Sequence, residues 1–262
     1  MLATLKHRTA AAARTLADLL YPPACAVCAV SVGPDAGLLC VDCADAAPRL
    51  EPPFCAVCSW PFPVPAGGAA ALSTLAMRSA CANCRDREFA FDCAVSARRH
   101  DGPVRDLIVR FKYRGEQHLR RTLAGWLAEA LADPRLARRP ADALVPVPLH
   151  PRRQRERGYN QAEECACALG RRAGLPVWPV LRRARYTGTQ TLLSRDERAR
   201  NLSGAFALAG GWTARRWRRR LDGADLLLVD DVFTSGATVD ACARVLLAGG
   251  AASVRVLTVA RR

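Results

Sequence analysis

The stretch Leu226-Leu-Leu-Val-Asp230-Asp231-Val-Phe-Thr234-Ser235-Gly236-Ala237-Thr238 constrains this chain more than any other. An apolar run without polar alternation reads as a strand buried on both faces, the kind found in parallel sheets covered by helices. Two adjacent acids fall at its carboxyl end, where open α/β sheets gather their ligands. The turn from Thr234 to Thr238 then offers successive backbone N–H groups and three hydroxyls at the start of a helix-like segment. Such a turn holds phosphate. Carboxylates for sugar hydroxyls beside amides for a phosphate imply a ribose 5-phosphate. A Walker A loop would need a lysine at the helix start, and a dinucleotide fold would show Gly-x-Gly-x-x-Gly; neither is present here. The plainer alternative is a strand, a cap and a helix with incidental acids, but a paired Asp-Asp ending a core strand is costly unless used.

This segment resembles the 5-phosphoribosyl-1-pyrophosphate (PRPP) motif of type I phosphoribosyltransferases. The resemblance implies that Asp230 and Asp231 hold the ribose hydroxyls. It also implies that Thr234, Ser235, Gly236, Ala237 and Thr238 wrap the 5-phosphate, with Ser235 standing where many members have Thr or Gly.

Upstream lies a cysteine framework of four Cys-x-x-Cys pairs: Cys25/Cys28, Cys40/Cys43, Cys55/Cys58 and Cys81/Cys84. Two thiolates two residues apart on a tight turn present adjacent corners of one tetrahedron to Zn²⁺. The first two pairs suit a small Cys₄ ribbon or knuckle. The last two, separated by a stretch that includes the Ala- and Gly-rich residues 66–71, suit a second site, and a cross-braced arrangement is the alternative. A disulfide framework would need an oxidising compartment. Arg14 and Asp18 interrupt any signal-like core near the start, no run approaches the roughly 20 apolar residues of a membrane span, and a cytoplasmic location is expected. All-thiolate sites are coordinatively closed, so the zinc is expected to be structural, supplying folding free energy to a segment poor in large aliphatic residues. Cys93, Cys165, Cys167 and Cys242 do not pair at ligand spacing and read as packing residues.

The expected organisation is an amphipathic helix within residues 1–24, a zinc-binding module at 25–93, and a phosphoribosyltransferase-like domain at 94–262. From residue 94 the pattern alternates between strand and helix. It predicts strands over 94–98, 143–147, 226–231 and 253–260, with helices ending near Phe111 and covering 117–132, 160–173 and 237–248. That alternation predicts an α/β fold with a mainly parallel sheet.

A second informative element is Pro146-Val-Pro148-Leu-His150-Pro-Arg152-Arg153-Gln-Arg155-Glu-Arg157-Gly158-Tyr159-Asn160-Gln161. A strand ends in a Pro-rich turn, and four arginines precede a helix that carries Asn160 and Gln161. Guanidinium forks match phosphate oxygens, so this expected loop suits a pyrophosphate; a solvated basic loop is the alternative.

The four Cys pairs, Phe111-Lys112-Tyr113-x-Gly115, Arg157-Gly158-Tyr159-Asn160-Gln161, Thr189-Gln190, Arg198-x-x-Asn201-x-x-Gly204-Ala205-Phe206 and the PRPP motif occur together. The chain is thereby similar to the ComF family of bacterial phosphoribosyltransferase-like competence proteins. The resemblance spans nearly the whole chain, and one departure is Ser59, where the family usually has a Gly that eases a positive-φ turn beneath the metal. Residues 182–201 resemble the loop that closes over PRPP, which makes Arg183, Arg185, Gln190 and Arg198 candidate anion or transition-state contacts; a helical hairpin shielding the sheet is the alternative. Mg²⁺ is expected on the pyrophosphate, and a role in DNA uptake is implied, with competence proteins as candidate partners.

Charge adds a further expectation. The chain is +15 overall, yet residues 25–93 carry four Arg against seven Asp or Glu, so the basic face belongs to the second unit. Anionic ligands are drawn to such a face. Arg215, Arg216, Arg218, Arg219 and Arg220 surround Trp217, a composition that contacts single-stranded DNA in some proteins and is an exposed loop in others. Without a Walker A loop, the chain is not itself an ATP-driven motor. Two function classes remain: a Mg²⁺-dependent phosphoribosyltransferase of unknown acceptor, and a non-catalytic PRPP sensor or DNA-handling module.

Overall fold

The computed structural model describes residues 23–33, 38–63, 81–185, 204–210 and 214–262. The helix expected near the N-terminus, residues 66–71, Gln190, Arg198 and the Thr189 and Asn201 motif positions lie outside the described residues. In chain order, α1 (Val41–Asp45) sits in the Cys-rich segment. It is followed by β1 (Ala94–Arg99), α2 (Gly102–Tyr113), a 3-10 turn (Gln117–Leu119), α3 (Arg120–Ala130), α4 (Pro134–Ala137) and β2 (Ala143–Pro146). Then come α5 (Pro151–Arg157), α6 (Gln161–Ala173), β3 (Leu181–Arg183), β4 (Phe206–Leu208), α7 (Ala214–Leu221), β5 (Asp225–Phe233), α8 (Ala237–Ala248) and β6 (Ser253–Arg261).

Four strands form a parallel sheet in the order β1-β6-β5-β2. β3 and β4 make a separate antiparallel pair. Side chains leave a strand alternately on its two faces, and the core divides accordingly. Leu227, Val229, Leu257 and Val259 pack with Phe111 of α2, Leu123 and Leu127 of α3 and Leu169 of α6. Leu226, Leu228, Val254 and Val256 pack on the opposite face with Val239 and Leu246 of α8, Leu221 of α7 and Phe206 of β4. Apolar residues on both faces explain the unbroken Leu-Leu-Leu-Val run. Cys165 and Cys242 are buried within these layers, and burial pushes both thiols up, as packing residues require.

Both sheet edges are covered. Along β1, Arg99 N donates to Pro48 O at 2.9 Å, Ala94 N donates to Val57 O at 2.7 Å, and Arg49 forms a bridge with Arg98. Along β2, Leu144 N donates to Pro176 O at 2.9 Å, and Trp178 N donates to Leu144 O at 2.8 Å.

Three local expectations differ from the structure. β5 does not stop at the acids but continues to Phe233, because β6 is equally long and pairs Asp230 with Thr258 and Phe233 with Arg261. The arginine segment is a helix, α5, rather than a loop: Pro151 opens it, His150 Nδ1 accepts the Arg152 N–H at 3.2 Å, and left-handed Gly158 (φ 81) closes it. The Arg-rich run around Trp217 is likewise helical, anchored by fully buried Leu221.

Candidate functional site

Each half of the Cys-rich segment folds around one thiol cluster. Cys25, Cys28, Cys40 and Cys43 gather in one group and Cys55, Cys58, Cys81 and Cys84 in another, with all sulfurs of a group within 4.8 Å of one another. The pairing is sequential, not cross-braced. A Zn²⁺ with bonds of about 2.3 Å sets tetrahedral S···S edges of about 3.8 Å. Cys28–Cys40 at 3.6 Å, Cys55–Cys84 at 3.8 Å and Cys58–Cys81 at 3.5 Å match that edge. Hydrogen bonds from Cys58 and Cys84 favour the Cys55 thiolate, while the Cys55 neighbour pushes the Cys58 thiol up, an arrangement that a cation among the sulfurs would relieve. Both donor sets therefore fit structural zinc.

The two knuckles repeat each other. Pro-Pro-x-Cys-Ala-Val-Cys recurs from Pro22 to Cys28 and from Pro52 to Cys58, a signal the pair-by-pair reading passed over. Cys25 N to Val30 O at 2.7 Å matches Cys55 N to Trp60 O at 2.8 Å. Ala29 (φ 61) and Ser59 (φ 55) both take the left-handed turn after the second Cys. Ser59 adopts the backbone conformation that glycine would ease. Its Oγ donates to Ala94 O at 2.7 Å and accepts from Arg135 Nη1 at 3.1 Å. Two such bonds, each worth about 1 kcal/mol, offset a left-handed cost of about 1–2 kcal/mol.

At the carboxyl edge of the sheet, the acid pair straddles β5. Asp231 meets Lys112 Nζ of α2 at 2.7 Å, in a pair only 13% and 19% exposed. Asp230, on the other side, feels Arg183 of β3 as well as Lys112 and accepts the Asp231 N–H at 2.8 Å. Burial first, and the Asp231 charge second, push Asp230 up to about 7. Lys112 was quoted in a sequence motif but given no role there; its pairing with an acid more than a hundred residues away is visible only in three dimensions.

Beyond Phe233 the chain turns through Thr234, Ser235 and Gly236 into α8. Gly236 (φ 82) caps the helix, and a Cβ there would sit 2.7 Å from the Phe233 ring and 3.0 Å from the Phe89 ring. Gly236, at the cap position, brings no side chain to the first turn of α8, which begins with Ala237 and Thr238. The positive pole of this 12-residue helix lies at that turn.

The remaining expected contacts divide into two groups. Arg152, Arg153, Arg155 and Arg183 surround His150, and burial and then these cations hold its imidazole below the usual range. Arg182, Arg183, Gln154 and Asn160 line a cleft of about 190 Å³ with Pro146, Pro148 and Leu181. Arg185 is exposed at the end of the described segment. Arg157, Asn160 and Gln161 also make bonds within the protein. Arg157 lies over the Tyr113 ring at 4.8 Å and donates to Gln161 Oε1 at 2.9 Å. Asn160 donates to Val147 O at 3.0 Å and caps Ala162 N at 3.2 Å. Tyr159 donates to Phe111 O and tilts against the Phe111 ring at 5.4 Å. The Phe-Lys-Tyr and Arg-Gly-Tyr-Asn-Gln motifs thus form one staple that fixes the end of α2 where Lys112 reaches Asp231.

Residues 16–85 match the double zinc ribbon domain family. Competence protein F of Haemophilus influenzae is 34% identical over 184 residues, 69% of this chain and 78% of that protein. The DNA utilization protein YhgH of Salmonella typhimurium is 31% identical over 188 residues, 69% and 77% of the two chains. Competence protein ComFC of Streptococcus pneumoniae is 26% identical over 195 residues, 69% and 80%. Identity at the level of the first of these, over more than two thirds of both chains, shows the family, and this chain belongs to the competence protein F (ComF) family.

Proposed function

We propose that the chain binds Mg²⁺–PRPP at the carboxyl edge of β5 and acts as a phosphoribosyltransferase in DNA uptake. The observation that carries this reading is a glycine-capped first turn of α8 shortly after an acid pair, with Gly236 in a left-handed conformation and a space that a Cβ would overfill. In this reading Asp230 and Asp231 accept hydrogen bonds from the ribose hydroxyls, and the amides of residues 234–238 hold the 5-phosphate. The C1–O bond to pyrophosphate breaks with its electron pair leaving on the pyrophosphate, and an acceptor nucleophile bonds to C1. Ionised Asp230 stabilises the positive charge that develops on the sugar, while Arg183 and Arg185 neutralise the leaving group. Two carboxylates suit a Mg²⁺ that keeps most of its waters, and the ion supplies charge neutralisation on the pyrophosphate when bound.

The test is calorimetric titration of Mg²⁺–PRPP into zinc-loaded protein and into an Asp230→Asn/Asp231→Asn variant. Saturable binding in the first and none in the second is expected. Pyrophosphate release is then screened with free bases and single-stranded DNA as acceptors. A folded wild type that gives no heat sinks the reading.

A second activity is favoured by a separate observation. Arg220 of α7 lies 5.7 Å from the Trp178 ring and 5.5 Å from the Trp217 ring, beside exposed Arg215, Arg216, Arg218 and Arg219. Aromatic rings within a cationic face suit single-stranded DNA, and relatives carry the name DNA utilization protein. α7 leads into the start of β5, whereas the phosphate turn follows its end, so DNA held there lies a strand length away, roughly 30 Å. On this reading, DNA affinity falls steeply with salt, and the slope flattens when Arg215, Arg216, Arg218 and Arg219 become Gln. An unchanged slope removes α7 from the interface.

A further inference from the structure

One buried cation stands between the second thiol cluster and the turn at residues 234–238. Arg261, the last residue of β6, is 3% exposed. Its Nη1 donates to Phe233 O at 3.0 Å and Thr234 O at 2.7 Å, the two carbonyls where β5 breaks into the turn. The guanidinium stacks on the Phe233 ring at 4.8 Å and on the Trp60 ring at 5.0 Å. Trp60 belongs to the knuckle, since its carbonyl accepts the Cys55 N–H at 2.8 Å. Arg261 Nε and Nη2 have no hydrogen-bond partner among the described residues. The Cys58 thiol is the nearest group on that side, within reach of a weak hydrogen bond, and Cys81 and Cys84 act on the same guanidinium. A buried guanidinium with idle N–H groups is costly unless negative charge faces it. Four thiolates around Zn²⁺ carry net negative charge and provide it.

The segment that leaves the cluster grips the same turn from the other side. Phe89 stacks on Phe91 at 4.7 Å, Phe91 meets Phe233 edge-on at 6.0 Å, and Phe89 closes over Gly236. Asp240, in the first turn of α8, accepts the Ala90 N–H at 2.6 Å. The first thiol cluster packs into the core on the opposite face of the sheet.

We propose that Arg261 is a positioning residue that couples zinc occupancy of the Cys55/Cys58/Cys81/Cys84 cluster to the anion-binding form of the 234–238 turn. With zinc bound, thiolate charge fixes one side of the guanidinium, and the other side holds the Phe233 and Thr234 carbonyls so that the following amides face outward. Without zinc, the guanidinium loses its counter-charge and the turn loses its anchor. Coupling between binding sites is reciprocal, so a ligand on the turn also slows zinc loss from this cluster. The ligand side of the coupling rests on the PRPP reading above; the zinc side does not.

The test compares full-length wild type, Arg261→Met and Arg261→Lys, each zinc-loaded and shown to be folded by its thermal transition. Amide hydrogen exchange at residues 234–238 is measured before and after a chelator competes for zinc, and the rate of zinc release is followed with and without PRPP. In wild type, exchange at the turn is expected to accelerate about tenfold when the second cluster empties. PRPP should slow release of one of the two zinc ions by a similar factor. Arg261→Met should show fast exchange whether or not zinc is bound, and Arg261→Lys, with charge but no fork, should lie between the two. Exchange at 234–238 that ignores zinc in wild type, or responds equally in wild type and Arg261→Met, overturns the proposal. If the exchange coupling holds but PRPP does not bind, the ligand assignment fails and the coupling stands.

Discussion

Replacing Lys112 with Met leaves two adjacent carboxylates at the end of β5, where, among the described residues, Arg183 still acts on Asp230. The Lys112–Asp231 pair is short, 2.7 Å, and both side chains are less than one fifth exposed. Exposed pairs contribute about 0–1 kcal/mol, whereas breaking a fully buried one costs about 3–5 kcal/mol. This partly buried pair falls between them, and Lys112→Met should lower unfolding free energy by about 2 kcal/mol at pH 8. Asp231→Asn in the same chain removes the stranded charge, so the double variant should recover at least half of the loss. The penalty should also depend on pH. Asp230 has a folded pKa near 7, above its unfolded value. Its contribution to stability is therefore present in acid and lost as pH rises through about 7. At pH 5.5, below the raised Asp230 pKa, repulsion within the acid pair is relieved, and the Lys112→Met penalty should shrink to about 1 kcal/mol or less. Urea unfolding of zinc-saturated wild type, both single variants and the double variant at the two pH values measures the coupling. A coupling below about 0.5 kcal/mol, or one of equal size at both pH values, would refute this account of the acid pair.

Three further outcomes are expected. Gly236→Ala combines a left-handed φ of 82 with an approach of 2.7 Å to the Phe233 ring; it should cost about 2–4 kcal/mol and lower the thermal midpoint, and a midpoint within a degree of wild type contradicts that geometry. Elemental analysis should find two zinc ions per chain, with Cys55→Ser more damaging to stability than Cys28→Ser, because Cys55 is fully buried and Cys28 exposed; equal losses would count against burial as the cause. Since ribose hydroxyls donate to the ionised acid, PRPP affinity should rise between pH 6 and pH 8, with proton release on binding, and Asp230→Asn should abolish both; a flat profile in wild type removes Asp230 from the ribose contact.

Local signals carried much of this fold into the sequence. β5 was readable because residues buried on both faces leave an unbroken apolar run, and α8 because apolar spacing follows Gly236 directly. The thiol pairs were readable because ligand geometry fixes Cys spacing. What escaped was non-local or masked by charge. Five charged residues in α5 resembled a loop, although Pro151 and Gly158 marked both ends of a helix. Asn160 and Gln161 were placed at a helix start, where the structure has them, but their burial and bonds within the protein depend on contacts no local pattern shows. Lys112 and Arg261 act on groups distant in sequence, and no spacing rule reaches them.

The backbone that joins the two knuckles also has a protective role. Residues 48–57 run along β1 and occupy its outer hydrogen-bonding groups through Pro48, Arg49 and Val57. Each end of this cover is tied down by one thiol cluster. Metal loss would uncover a strand edge while the sheet behind it is still intact, and bare edges recruit other chains. Such a protein would fail by sticking to copies of itself before it melts. Light scattering that rises ahead of any loss of helical signal during chelation would be the mark of that order of events, and the reverse order would show that the edge stays covered without its metal.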